Sequence, residues 1–155
     1  MRDRIRPPRE FENVLDRLKD DEGIFETKQK AIMFAAAVGY ALYKETISTT
    51  NVDSFGEGIR LEYFRSPQDD GFIDALAVAH AGDLNILDPE RQEERLELFE
   101  RCSLLGLREM QKQCFDDRPS DPILGILALI DRMQKSPSSD LPGLDYVAEE
   151  LRAYF

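Results

Sequence analysis

Two cysteines and a single histidine are the residues of this chain best suited to nucleophilic or soft-metal chemistry. Cys102 and Cys114 stand twelve positions apart in a segment of helical periodicity, so their Cα atoms lie about 18 Å apart at 1.5 Å per residue. A disulfide spans at most about 7 Å between Cα atoms, which excludes the pair. Two buried thiols in a reducing compartment are expected instead. His80 has no HxxxH or HExxH companion, and no zinc-ligand spacing joins it to the cysteines. The chain also lacks GxxxxGK[ST], GxGxxG and GxSxG, the signatures of phosphate-cradling loops and of a nucleophile elbow. No cofactor and no metal centre are expected.

Carboxylates are more abundant. Asp69 and Asp70 can bind a divalent cation, but adjacent aspartates in a turn-rich SPQDDG stretch more often cap or turn the backbone. Asp88, Glu90, Glu93, Glu94, Glu97 and Glu100 form an acidic run, with Arg91, Arg95 and Arg101 interleaved. Four of these glutamates can share a helix face, as a carboxylate metal site would need. With no histidine beside them, a solvated face laced by pairs such as Glu97–Arg101 is the simpler expectation. Glu26-Thr27-Lys28 has the ExK spacing of restriction-type nuclease cores, but it opens a helix where that core needs a strand. A metal-dependent nuclease therefore ranks third among the functions considered, and no catalytic residue is assigned.

The basic residues stand out by position. Residues 1–10 hold four arginines against Asp3 and Glu10, a local charge of +2, leaving −13 on the other 145 residues of a chain that totals −11. Arg2, Arg4 and Arg6 repeat with period 2, so an extended strand would turn all three to one face. They are the candidate DNA-binding residues. Strand, helix, turn and helix follow in residues 1–44, an order that resembles the ribbon-helix-helix architecture, in which paired strands of two chains enter the major groove. The arm lies outside the expected core, so folding is not expected to depend on it.

The elements behind these residues are mostly helical. Phe11, Val14, Leu15 and Leu18 mark a helix from about Arg9 to Asp20. Thr27 can cap a second, Lys28 to about Lys44, apolar almost all round and so central to the fold or in a subunit interface. Thr46 to Glu57 reads as a loop, and Ile59 to Phe64 as a short strand without an evident partner. Phe72 to His80 is a short helix ended by Gly82. Asp88-Pro89 and Asp121-Pro122 are helix starts, for a helix to about Phe115, with Gly106 as a bend, and for Ile123 to Gln134. Ser136–Pro142 reads as a loop, with a last helix carrying Leu144, Val147, Ala148, Leu151 and Tyr154.

A chain of 155 residues, 42% hydrophobic and 33% charged, is long enough for one packed domain. The pI near 4.6 argues against broad contact with nucleic acid. The longest weakly polar run, Ala31–Tyr43, has 13 residues, short of the roughly 20 that cross a bilayer, and no secretory signal is visible. The expected fold is mainly α: a single domain, 1–155, whose strand-helix-helix part (1–44) precedes a helical remainder (45–155) with at most one or two further short strands.

Four blocks in order carry a resemblance: RIRPPREFENVLDRL, GIFETKQKAIMFAAAVGY, IDALAVAHAGDLNIL and ERQEERLELFERCSLLGLREM. They are similar to the family of DNA phosphorothioation-associated protein 4, small proteins found with Dnd-type systems, which place sulfur in the DNA backbone and restrict unmodified DNA. The resemblance implies a prokaryotic cytoplasm, a defence context and other proteins of the system as partners. It brings no catalytic residues. The expectation is a non-enzymatic accessory protein that works through protein–protein contacts, as a homodimer or higher oligomer. The alternative is a small DNA-binding protein or regulator using the N-terminal ribbon through Arg2, Arg4 and Arg6.

Overall fold

The computed structural model describes residues 2–65 and 67–135. The loop 136–142 and last helix expected from the sequence lie outside them. Among the described residues the order is strand β1 (Arg4–Ile5), helix α1 (Glu12–Asp16), α2 (Lys28–Tyr43), β2 (Ile59–Arg60), α3 (Glu62–Arg65), α4 (Asp70–Ala81), α5 (Gln92–Gln111) and α6 (Pro122–Gln134). The fold is mainly α, as expected. A 3-10 turn, Arg9–Phe11, leads into α1 and a π turn, Arg17–Asp21, leads out. Together these make the continuous helical stretch read from Phe11, Val14, Leu15 and Leu18.

Helix α2 is the centre. Thr27 Oγ1 accepts a hydrogen bond from the Lys30 amide at 3.1 Å and so starts it. Ala31, Ile32, Ala35, Ala36 and Val38 are fully buried. The principal partner of α2 is α5, and small residues set the distance between them. A Cβ on Gly39 would fall onto the Cys102 carbonyl, and one on Gly106 onto the Ala35 carbonyl. Gly106 therefore serves close packing within an unbroken α5, where the sequence suggested a bend.

The two Asp-Pro starts behave differently. Asp121 Oδ1 accepts from the Ile123 amide at 3.0 Å, a side-chain cap on α6. The Asp88 side chain makes no such bond; Pro89 opens a 3-10 turn, Pro89–Arg91, before α5. The Asp88 carbonyl instead accepts from Arg95 at 2.9 Å. Gly82 ends α4 in the left-handed conformation, at φ 67°. The stretch expected as a loop after α2 contains a 3-10 segment, Lys44–Thr49, that buries Ile47.

The two short strands find each other. β1 and β2 run antiparallel, with Arg4 opposite Arg60 and Ile5 opposite Ile59. The strand expected over Ile59–Phe64 ends after two residues because the chain turns at Leu61 into α3, burying Leu61 and Phe64. The ribbon thus forms within one chain, where strand-helix-helix order had suggested pairing between two. Cys102 and Cys114 are free and buried. No helix among the described residues is long and apolar enough to cross a membrane.

Candidate functional site

The N-terminal arm is zipped to the segment before α3. Leu61 N donates to Asp3 O at 2.8 Å, Gly56 N to Pro7 O at 2.8 Å, and Arg9 N to Ser54 O at 2.9 Å. Ile5 is fully buried, and Pro7 and Pro8 are buried as well. The arm is therefore part of the packed structure, contrary to the expectation that folding does not depend on it.

The three candidate arginines do not share one free face. The opposite edge of β1 meets Glu100 of α5, whose side chain is 1% exposed. Glu100 Oε2 accepts from the Arg6 amide at 2.6 Å and from Arg6 Nε at 3.3 Å, and Oε1 accepts from a terminal Arg6 nitrogen at 3.3 Å. The Arg2 guanidinium also donates to Glu100, and to Glu93 at 3.0 Å. Burial by itself would lower the Arg2 pKa. Hydrogen bonding and attraction from Glu100, then from Glu93, outweigh it and hold the group above its ordinary value. Arg6 also stacks over Phe55, its guanidinium carbon 3.9 Å from the ring centre. Arg4 departs to the other side, donating to Gly58 O at 3.3 Å. The alternation that would align all three arginines needs a longer strand than the two residues β1 supplies.

Glu100 was legible only as part of a solvated acidic face; its burial is a correction made by tertiary packing. The rest of that run is surface-like. Glu94 pairs with Arg91 at 2.9 Å, and that contact, more than any other, holds the Glu94 carboxyl below its ordinary range. Among the described residues Glu97 and Arg101 form no ion pair. A second buried carboxylate, Glu109, went unnoticed in sequence. It accepts from the Tyr43 hydroxyl and from Arg132 at 3.0 Å, joining α2, α5 and α6. Nothing at position 109 separates it in sequence from an ordinary surface glutamate; only the convergence of three helices does.

The residues considered for a nuclease are engaged in structural contacts. Asp69 Oδ2 accepts from Gln29 Nε2 at 2.7 Å and from Lys30 Nζ at 2.8 Å. Lys28 of the ExK tripeptide reaches Asp16 at 2.8 Å, while Thr27 caps α2. No group of three His, Cys, Asp or Glu able to hold a metal occurs among the described residues. His80 approaches Ser48 Oγ at 3.4 Å. Burial lowers its pKa, and the charges of Lys44 and Arg101 add to that. The thiols are deeply covered: desolvation pushes Cys102 to about 12 and Cys114 to about 11.

The clefts on the surface of the described residues include three of note. One, of about 460 Å³, is lined by Arg17, Phe115, Arg118 and Pro122. A second, of about 510 Å³, lies at the ribbon between Arg2, Arg60, Leu61 and Arg65, with Asp3 and Glu62 at its rim. The third, of about 210 Å³, lies between Arg6, Asn51, Phe55, Glu97 and Arg101. Cys114 and Asp116 also line the first cleft, with the Cys114 thiol pushed up to about 11 by burial. Separately, α6 presents Ile123, Leu124, Leu127 and Ile130 to solvent, from 37% to 55% exposed, while Ile126 and Leu129 of the same helix are buried.

Neither the curated proteins nor the solved structures contain a match to this chain. A family model does match, over residues 4–147, nearly the whole length and across all four sequence blocks, and the chain belongs to the family of DNA sulphur modification system-associated protein 4.

Proposed function

We propose that this protein is a non-enzymatic accessory component of a DNA sulphur modification and restriction system, acting in the cytoplasm by docking other proteins of that system. One observation carries the reading: the apolar stripe Ile123, Leu124, Leu127 and Ile130 on the outer side of α6. Scattered exposed apolar residues are ordinary, but four on one face of one helix form a contiguous patch suited to a partner surface. The ion pair of Arg132 with buried Glu109, together with buried Ile126 and Leu129, fixes that helix on the body and so presents the stripe on a rigid support.

The test is affinity purification of the tagged chain from a host carrying the complete system, with and without nuclease treatment. Capture of the system's own proteins that survives nuclease, and is lost in a Leu124→Glu/Leu127→Glu variant, supports docking through α6. Capture unchanged in the variant removes α6 from the reading. Capture abolished by nuclease replaces protein contact with contact through DNA. Sedimentation of the pure parent and variant distinguishes a second copy of this chain as the occupant of α6, the homodimer or higher oligomer that the apolar character of the fold also allows.

A further inference from the structure

The β1–β2 ribbon has one apolar face and one charged face. Ile5 opposite Ile59 points to the core; Arg4 opposite Arg60 is the other pair. Like charges directly opposite in a ladder are destabilising, so this register is unfavourable for the fold taken alone. Compensation is slight. Asp3 reaches Arg4 only at 4.0 Å and is itself 86% exposed. Glu62 meets Arg60 at 3.2 Å with both side chains more than half exposed, a pair worth little in water and open to exchange. Arg65, one turn further on α3, forms no ion pair with any described residue. Arg60 and Arg65 line the same cleft of about 510 Å³ as Arg2, Leu61 and the carboxylates Asp3 and Glu62. The fold thus gathers arginines from two distant stretches, the N-terminal arm and residues 60–65, onto the ribbon and the helix beside it, on a chain of charge −11.

We propose that this arginine face is a phosphate-binding surface for duplex DNA, with Arg4, Arg60 and Arg65 as the contacting residues. The inference goes beyond docking through α6 and differs from the Arg2, Arg4 and Arg6 set, because Arg2 and Arg6 are both ion-paired with buried Glu100. Guanidinium forks match phosphate oxygens in a bidentate manner. A two-stranded ribbon is also narrow enough to lie along a groove, with the side chains of one face reaching the backbone. Contacts of this kind position a protein without reading sequence. The acidic body confines the duplex to the ribbon, so binding is weak, local and sensitive to salt.

The experiment is fluorescence anisotropy of a labelled duplex of arbitrary sequence, titrated with the full chain at 50 and 200 mM salt. Three phosphate contacts give a slope of log K against log salt near −2.7, so affinity falls about 40-fold over that fourfold change in salt. An Arg60→Ala/Arg65→Ala variant leaves about one contact, and its remaining affinity falls only about 3.5-fold over the same range. Arg60→Lys/Arg65→Lys keeps both charges and most of the slope. The lysine variant melts with the parent and the alanine variant at or above it, since neither side chain is buried and removing Arg60 relieves its repulsion with Arg4. An unchanged slope in the alanine variant overturns the proposal, as does the absence of binding by the parent at 50 mM salt. Displacement by polyglutamate as readily as by unlabelled duplex also overturns it, in favour of an acidic protein partner.

Discussion

Replacing both arginines that face Glu100 should hurt this protein more than their surface-like sequence position suggests. In an Arg2→Ala/Arg6→Ala variant the Glu100 carboxylate, 1% exposed in the parent, keeps only the residue-6 amide as a donor. Removing one side of a buried ion pair typically costs about 3–5 kcal/mol, because the remaining charge is neither hydrated nor paired. Water can reach the space left by Arg6, whose side chain is 37% exposed, so the lower part of that range, about 3 kcal/mol, applies. For a chain of this length each kcal/mol moves the melting temperature by about 2–4 °C, which gives a drop of roughly 6–12 °C.

The opposite deletion, Glu100→Ala, leaves two guanidiniums that can turn to solvent and costs less, on the order of 2 kcal/mol. The triple variant, with Glu100→Gln added to the arginine pair, removes the stranded charge and recovers on the order of 1–2 kcal/mol relative to the double. Denaturant titrations followed by far-ultraviolet circular dichroism at neutral pH measure all three. A double variant melting within about 2 °C of the parent, or a triple variant less stable than the double, would refute the anchoring role of Glu100.

The remaining predictions use other parts of the core and surface. Gly106→Ala should destabilise by about 1–3 kcal/mol, since backbone rather than a movable side chain blocks the new methyl group. The roughly 1 kcal/mol gained in helix propensity offsets only part of this, and a melting temperature at or above the parent's would contradict the close α2–α5 approach. Cys102 and Cys114 should take up no iodoacetamide at pH 8 in the native protein and two equivalents in denaturant, because burial holds their pKa values at about 12 and 11. Labelling of the folded chain at the rate of a free thiol would count against that burial. His80 is the chain's sole histidine, so one imidazole resonance reports it. It should titrate below 6.5 because burial, then Lys44 and Arg101, disfavour its charged form. A folded pKa below the unfolded one gives stability that is present above the unfolded value and lost as pH falls through the folded one. The parent should therefore lose more stability than His80→Gln on acidification from pH 7 to 5, and an NMR midpoint at or above 6.5 would contradict this.

Local signals carried the helices. Thr27 capping α2, Asp121-Pro122 opening α6 and Gly82 closing α4 each act within a few residues through one hydrogen bond or one backbone conformation, so the sequence displays them directly. The unbroken apolar character of Ala31–Tyr43 likewise determined that α2 is central, because a helix with no polar face has nowhere else to go. Family membership was legible for the same reason: ordered blocks of residues are themselves sequence.

The site was not legible, and the reason is distance along the chain. Glu100 is one of six acidic residues in a charged run until packing of the arm against α5 brings Arg2 and Arg6, 98 and 94 positions away, onto its oxygens. Arg4 meets Arg60, 56 positions away, only because β1 finds its partner in β2. The period-2 arginines predicted a common face, but a strand of two residues cannot sustain alternation over five. The arm's hydrogen bonds with 54–61 and with Glu100 determine where each side chain goes. Charge and hydropathy patterns report which residues prefer water. Whether a particular glutamate is desolvated, or a particular arginine left without a partner, depends on pairings between segments that no local pattern encodes, and these the tertiary structure decided.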